Sequence, residues 1–398
     1  MGDRPVRRIT LDERRARLAI RHHLAPAARG SDVTEVARDL VGFHATDPAT
    51  VYLAACARLV DGRVETVEKA LYDQRLLVRM LGMRRTMFVL STDLVPVVQA
   101  ACTRAIAVNE RRRTLQLLAE GGIAQDPARW LERTEARALE ALHRRGPSTA
   151  SELATAVPEL GRQIAYGEGK KWAGVMGVST RVLFGLASDG RIVRGRPRGT
   201  WLSNQYRWVP VESWLGGGIA ELGTDAARTE LARAWLRSFG PATAADLTWW
   251  TGWTVGVVKQ ALAALDVVEV DVDGAPGPGL VLADDVEPVA SPGPWVALLP
   301  ALDPTVMGWT HRDWYLGQHR PALFDTSGNA GPTVWCDGRI VGGWTLRPDG
   351  EVVVQLLEAV GEEAATAIDG AADRLGQWFG HVRVIPKFRT PLERQLSS

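Results

Sequence analysis

Residues 42–48 read Gly-Phe-His-Ala-Thr-Asp-Pro and bring an imidazole, a hydroxyl and a carboxylate close together in the chain. A histidine with its ordinary pKa of about 6.5 can act as a general base near neutral pH, so His44 is a candidate catalytic residue. Thr46 can hold a water molecule by a hydrogen bond, and Asp47 can supply a negative charge. The alternative is an ordinary helix–helix corner, because Asp47 followed by Pro48 fits a helix N-cap with proline in the first turn.

Basic residues form further candidate sites. The stretch "GKKW" carries Lys170 and Lys171 at what we predict to be the start of a helix. Arginines alternate along a predicted hairpin that follows it, and we expect them to have no acidic partner nearby; they are Arg191, Arg194, Arg196 and Arg198. We favour phosphate contact for both groups, with a solvated surface as the alternative. Arg84 and Arg85, in "MRRTM", either line a binding channel or pair with acidic residues.

The charge distribution indicates a polyanionic partner. The chain of 398 residues has a net charge of +1, but residues 1–200 carry 33 Lys+Arg against 22 Asp+Glu, and residues 201–398 carry 14 against 24. Arginine accounts for 42 of the 47 basic residues, and its planar fork matches phosphate oxygens, although high-GC coding also favours arginine. Nucleic acid is therefore the leading partner. The basic and acidic halves pairing with each other is the open alternative.

Periodicity predicts the elements that carry these residues. The segments "LHRRGPSTASEL" and "LRSFGPATAADL" align residue for residue as helix-turn-helix cores, each followed by a third helix and a β-hairpin. The third helix of the first of these units is predicted over "KKWAGVMGVSTRVLFGLASDG", an earlier helix over "TVEKALYDQRLLVRML", and a last strand over "HVRVIPKF". We predict an α+β fold of three tandem winged helices and a C-terminal β-rich domain. The predicted boundaries are 1–122 for winged helix 1 with the candidate catalytic motif, 123–218 for a basic winged helix 2, 219–289 for an acidic winged helix 3, and 290–398 for the C-terminal domain.

Several function classes lack their motifs. The sequence contains no GxGxxG after a predicted strand, no GxxxxGK[ST], no HExxH, no CxxC and no GxSxG. No apolar run is long enough for a membrane span, and the three cysteines form neither a disulfide framework nor a zinc spacing. We therefore expect no metal, no nucleotide or other cofactor and no membrane association, and we expect a cytoplasmic monomer.

Six stretches in a fixed order carry a family resemblance: "GFHATDP", "GMRRTMFVL", "GRIVRGRPRGTW", "RSFGPATAADLTWWTGW", "LLPALDPTVMGW" with "HRDWYL", and "DGRIVGGW". From about residue 10 to 390 the chain resembles the tandem winged-helix family that contains the AlkZ/YcaQ-type bacterial DNA glycosylases. The resemblance implies a DNA-binding channel and excision of bulky or cationic N7-alkylated purines, in some members as self-resistance to a DNA-alkylating natural product.

The resemblance also assigns roles to residues. The family's catalytic motif, Gln-x-Gln or Gln-x-Asp, falls at "HAT", so His44 stands for the first glutamine and Thr46 for the second glutamine or the aspartate. Arg312, in "HRDWYL", is implied to reach the DNA, with a salt bridge to Asp313 or Asp303 as the alternative.

We therefore predict a monofunctional DNA glycosylase that acts on alkylated purines in double-stranded DNA, in base-excision repair or self-resistance. N7 alkylation makes the purine a cationic, good leaving group, so the enzyme has only to stabilise an oxocarbenium-like sugar and place a water molecule. His44 would orient or deprotonate that water, Thr46 would assist, and Asp47 would face the cation. The competing prediction is a non-catalytic winged-helix DNA-binding protein, either a regulator or one that sequesters adducts.

Overall fold

The computed structural model describes residues 6–397, which begin with β1 (Arg8–Ile9) and a first unit of short helices around a small sheet. The sheet has the order β2-β4-β3, with both pairings antiparallel. Its strands are β2 (Phe43–His44), β3 (Leu77–Leu81) and β4 (Met87–Ser91). The helices are α1 (Leu11–Arg21), α2 (Val33–Asp39), α3 (Pro48–Cys56), α4 (Val64–Glu68), α5 (Leu94–Val98) and α6 (Arg104–Glu120).

Gly42 allows the chain to turn from α2 directly into β2. Its φ is +101°, and a Cβ added there would lie 2.5 Å from Cδ2 of Leu90 and 3.1 Å from the carbonyl oxygen of Val89. A larger residue would meet both the strained backbone and the neighbouring strand. The His-Ala-Thr segment therefore begins at the end of a strand and leads straight to the N-terminus of α3.

Two predictions for the first and C-terminal units are wrong in detail. The helix predicted over "TVEKALYDQRLLVRML" ends in a π-helical turn (Lys69–Asp73), and its second half forms β3, whose five residues are all buried. A short continuous apolar run is compatible with either a buried helix or a buried strand, so periodicity alone does not decide. The predicted last strand, 381–388, is irregular in the structure. Pro386 lies within it, and proline cannot donate to a strand ladder.

The second unit has a hydrophobic core of its own, built from Leu131, Leu142, Leu153, Val182 and Leu186 among others. Its helices are α7 (Pro127–Arg145), α8 (Ala150–Ala156), α9 (Val178–Ser188) and α10 (Val211–Leu215). Its strands form two hairpins, β5 (Gln163–Tyr166) with β6 (Gly174–Gly177) and β7 (Ile192–Pro197) with β8 (Tyr206–Pro210).

The third unit has the order helix–helix–helix–hairpin and lacks the additional hairpin that β5 and β6 form between α8 and α9 in the second unit. It contains α11 (Thr224–Phe239), α12 (Ala244–Thr251), α13 (Val255–Ala263), β9 (Val267–Val272) and β10 (Gly279–Leu282), and β1 pairs with β9 in parallel. The helices after the two Gly-Pro segments begin in the same way, with a capping box of Thr149 and Glu152 in α8 and of Thr243 and Asp246 in α12. The order of elements follows the predicted units, whose boundaries remain a prediction.

The C-terminal unit is a four-stranded antiparallel sheet with helices around it, which completes the predicted mixture of helix and sheet. Its elements are β11 (Val296–Leu299), α14 (Asp313–Leu316), α15 (Arg320–Leu323), β12 (Thr333–Cys336), β13 (Arg339–Leu346), β14 (Val352–Leu356), α16 (Glu362–Phe379) and α17 (Pro391–Leu396). It shares one core with the first and third units. A fully buried ion pair also joins it to the first unit, with Nη2 of Arg58 at 2.7 Å from Oδ1 of Asp303.

Candidate active site

His44 lies at the end of β2, at the wall of a narrow cleft of about 30 Å³ between the first, third and C-terminal units. Its ring centroid is 5.5 Å from that of Phe88. The cleft is lined by Leu40, Gly42, His44, Met83, Arg84, Thr86, Phe88, Trp250, Pro304 and Met307. Arg84 is the only ionised side chain in this lining.

The His44 imidazole is kept neutral. The side chain is only 8% exposed, and its Nδ1 is buried without a hydrogen-bond partner among residues 6–397. Burial and, second, the positive charge of Arg84 lower the pKa of His44 to about 4. A neutral imidazole with a free lone pair can accept a hydrogen bond from water, but its low pKa makes it a weak proton acceptor.

Hydrogen bonds fix the backbone of the His-Ala-Thr motif, whereas the side chains of His44 and Thr46 each have a polar atom without a partner among residues 6–397. The Ala45 amide donates to the Met87 carbonyl at 2.7 Å, and the Ala45 carbonyl accepts a hydrogen bond from Nη1 of Arg79 at 2.9 Å. Oγ1 of Thr46 is buried and has no partner in the described chain. His44 and Thr46 therefore each carry a buried, unpaired polar atom on a backbone that β4 and Arg79 fix, and of the two side chains only His44 lines the cleft.

Asp47 occupies a different environment. One carboxylate oxygen accepts the Ala49 amide at 3.1 Å and so caps α3, and the other accepts the Lys387 amide at 2.8 Å. The side chain lines a separate cleft with Thr50 and Trp344 rather than the His44 cleft. The capping interpretation of Asp47 is confirmed, and its catalytic role remains a prediction that this geometry does not favour.

Arg84 and Arg312 both contact the ring of Trp249, whose chain neighbour Trp250 lines the His44 cleft. The guanidinium carbons lie 4.1 Å and 4.6 Å from the centroid of the Trp249 ring. Arg312 forms a salt bridge with neither Asp303 nor Asp313. Asp303 pairs with Arg58, and no ion pair of Arg312 occurs within residues 6–397.

Arg85 points away from this group. Its Nε lies 2.6 Å from Oε1 of Glu110, so Arg85 pairs with an acidic residue, whereas Arg84 lines the His44 cleft. DNA contact by either arginine remains a prediction. Both arginines have left-handed backbones, with φ of 52° and 59°. Two consecutive strained non-glycine residues beside a cleft are typical of functional sites.

The four arginines of the β7–β8 hairpin region lie in three different environments. Arg196 lies 2.9 Å from both Glu68 and Asp73, so the expectation that these arginines lack acidic partners is wrong for Arg196. Arg194 is packed inward, where Nη1 lies 3.1 Å from Sδ of Met87 and burial lowers its pKa to about 10. Arg191 and Arg198 are exposed and form no ion pair with any described residue.

Lys170 and Lys171 do not start a helix. They lie in the turn between β5 and β6, and α9 begins only at Val178. Gly167 and Gly169 adopt φ of +66° and +72°, which glycine adopts readily and which form the turn. The two lysines and the neighbouring Trp172, which is 62% exposed and not a core residue, form the tip of a projecting hairpin. DNA contact there remains a prediction, now on a hairpin instead of a recognition helix.

Two contributors to the site were not recognised from sequence. Arg79 fixes the Ala45 carbonyl, and the signal for it was an arginine flanked by apolar residues in "LLVRML". Trp249 packs against the core, and its ring also contacts two guanidinium groups. No sequence signal distinguishes it from the adjacent Trp250, which is buried.

The described part of the chain contains neither a cluster of candidate metal ligands nor a helix that could span a membrane. Residues 6–397 contain no group of three or more histidine, cysteine, aspartate or glutamate side chains that could hold a metal ion. None of their helices is both long and apolar enough to cross a bilayer.

Comparison with known proteins agrees with the fold and the motif order. Among solved structures, the DNA glycosylase AlkZ of Streptomyces sahachiroi superposes with a TM-score of 0.72 at 21% sequence identity, over 95% of this chain and 98% of that one. No curated protein matches the sequence. The family model described as "DNA glycosylase AlkZ-like" matches residues 37–378. Because that match spans most of the chain, the protein belongs to the AlkZ-like family of DNA glycosylases, as its motifs predict.

Proposed function

We propose that this DNA glycosylase hydrolyses the N-glycosidic bond of N7-alkylated purines in duplex DNA, with His44 positioning the attacking water. The observation that carries the proposal is the neutral, unpartnered imidazole of His44 at the position of the family's catalytic motif. The structural match to AlkZ supports the fold, and the resemblance supports the alkylated-purine substrate class.

The chemistry suits a site without a strong base. The C1′–N9 bond breaks and its electron pair moves to N9, which neutralises the cationic purine and leaves an oxocarbenium-like sugar. Water adds to C1′ and loses a proton to solvent. Because the leaving group is already activated, the water has to be oriented more than deprotonated. A neutral His44 and the Thr46 hydroxyl are suited to that orientation and add no positive charge of their own to the site.

Two arginines near the backbone of the motif, the buried Arg79 and the half-buried Arg194, contribute by position. Arg79 fixes the backbone carbonyl between the two side chains, and Arg194, from the β7–β8 hairpin, packs close enough to Arg79 for their charges to repel. Neither forms an ion pair with another of residues 6–397. Their positive charges make the surroundings of the motif electropositive, which favours the approach of the DNA phosphate backbone.

Base release tests the proposal. The purified protein is incubated with a duplex carrying one N7-methylguanine or one bulky N7 adduct, and abasic sites are detected as alkali-labile breaks. We expect release by the wild type, strong loss in His44→Ala, and unchanged release in His143→Ala, which alters an exposed histidine on α7. Release that persists in His44→Ala would remove His44 from the mechanism, and binding of adducts without any release would indicate a non-catalytic binding protein.

The biological setting is part of the same proposal. A general repair enzyme is expected to release small adducts such as N7-methylguanine, whereas an enzyme for self-resistance is expected to prefer the bulky adduct of one natural product. Comparing release rates for the two duplexes under equal conditions distinguishes these roles.

A further inference from the structure

The pair formed by Arg84 and Arg312 on Trp249, which we call the arginine clamp, forms no ion pair with a described residue, and the negative charge of Asp246 acts on Arg312 from nearby. Several arginines elsewhere in the interior are paired: Arg58 with Asp303, Arg17 with Asp285, and Arg181 with Glu110. Two other buried arginines, Arg14 and Arg79, form no ion pair with residues 6–397 and lie singly against aromatic rings. Neither member of the clamp forms an ion pair with residues 6–397.

Burial raises the energetic cost of leaving Arg312 without an ion pair. Arg312 is only 4% exposed, and its Nε and Nη2 are buried without a hydrogen-bond partner in the part of the chain that the structure describes. Burial lowers the pKa of both arginines, and the charge of Arg312 lowers that of Arg84 further. Uncompensated buried charge is costly, so the buried Arg312 gains stability when an anion joins it and the more exposed Arg84.

Asp246 connects the helix that carries Trp249 with the segment that carries Arg312. Its buried carboxylate closes the capping box of α12, the helix that carries Trp249. The same carboxylate accepts the amides of Thr310 and His311 at 3.0 Å and 3.1 Å, in the segment directly before Arg312. These donors occupy it, and it fixes Trp249 and Arg312 relative to each other. Glu152, its counterpart in α8, makes the capping box alone.

The location of the clamp identifies the anion. Arg84 lines the His44 cleft and lies close enough to lower the pKa of His44. In a DNA glycosylase the anion next to the target nucleotide is a phosphodiester, and guanidinium groups match phosphate oxygens with two parallel hydrogen bonds.

We infer that Arg84 and Arg312, held on Trp249, bind a phosphodiester of the DNA strand at the nucleotide being processed. This inference deepens the proposed function and rests on DNA being the substrate. It also resolves an electrostatic conflict, because an unneutralised Arg84 beside the His44 cleft would repel a cationic purine. Phosphate binding places the negative charge next to Arg84 and leaves the neutral His44 facing the base.

The salt dependence of binding tests the clamp without requiring catalysis. The equilibrium dissociation constant is measured against salt concentration for undamaged duplex with wild type, Arg84→Gln, Arg312→Gln and Arg312→Lys. Loss of one phosphate contact lowers the slope of log K against log salt by about 0.9. We expect that reduction in both glutamine variants and retention of most of the slope in Arg312→Lys, which keeps the charge. Arg347→Gln is the matched control, because Arg347 is paired with Glu351 at a distance of 3.1 Å.

Unchanged slopes in Arg84→Gln and Arg312→Gln would overturn the inference. Arg84 is exposed on the surface, so its variant is expected to fold even if Arg312→Gln does not. The two proposals fail separately. A reduced slope in the glutamine variants with no base release from any adduct would support the clamp and refute the proposed reaction. Base release that depends on His44, together with unchanged slopes, would support the reaction and refute the clamp.

Discussion

The buried neutral imidazole of His44 predicts a pH-dependent loss of stability that a His44→Gln variant should lack. In the folded protein the pKa of His44 is lowered to about 4 by burial and by Arg84. In the unfolded chain it returns to about 6.5. Between these values the unfolded state binds more protons than the folded state, so the stabilising contribution is complete above pH 6.5 and is lost as the pH falls through 4.

The magnitude follows from the difference in pKa. About 2.5 pH units at about 1.4 kcal/mol each, less the part not yet lost at pH 4, give a loss of about 3 kcal/mol in the free energy of unfolding between pH 7.5 and pH 4. Glutamine does not titrate, so His44→Gln should lose about 3 kcal/mol less than wild type over the same range. His22, which is also buried with a lowered pKa, is present in both proteins and cancels.

The assay is urea unfolding of wild type, His44→Gln and His143→Gln at both pH values. His143 is exposed on α7, so its variant should behave as wild type does. Equal losses in wild type and His44→Gln would refute the reasoning, because they would show that His44 titrates alike in the folded and unfolded states.

Three further predictions concern residues that hold or extend the site. Arg58→Met leaves the buried carboxylate of Asp303 without its partner and should lower the free energy of unfolding by about 3–5 kcal/mol, measured by urea unfolding, whereas a change below about 1 kcal/mol would contradict a buried pair. Arg79→Met removes the hydrogen bond to the carbonyl within His-Ala-Thr and should cost about 1–3 kcal/mol in unfolding experiments; it should reduce the rate of base release more than the affinity for DNA, and an unchanged rate would show that the contact does not matter for the motif. Substituting both Lys170 and Lys171 by glutamine should lower the slope of log K against log salt by about 1.8 if both contact phosphates, and an unchanged slope would place the hairpin tip away from the DNA.

Local signals in the sequence were reliable guides to local structure. Asp47 before Pro48 predicted the N-cap of α3, and the two aligned Gly-Pro segments predicted helices that the structure opens with equivalent capping boxes. The order of six motifs predicted the family. Such signals are decided within a few residues of the chain, by hydrogen bonds to neighbouring amides and by the φ that proline or glycine allows.

Where the sequence prediction failed, the deciding signal was either ambiguous or underused. The run "LLVRML" fits a buried helix and a buried strand equally well, and its pairing with β4 decided for the strand. The two glycines before Lys170 were a turn signal that helical periodicity overrode.

The sequence by itself determined the family, the mixture of helix and sheet, the arginine excess of the first half and the position of His-Ala-Thr before a helix. Only the tertiary structure decided which arginines are free. Arg196 finds Glu68 and Asp73 more than a hundred residues earlier in the chain, whereas Arg312 loses Asp303 to Arg58 and is left with Arg84 on Trp249. The physical reason is that capping and turns are short-range, whereas the partner of a charge and the burial that sets its pKa depend on segments that meet only when the units pack.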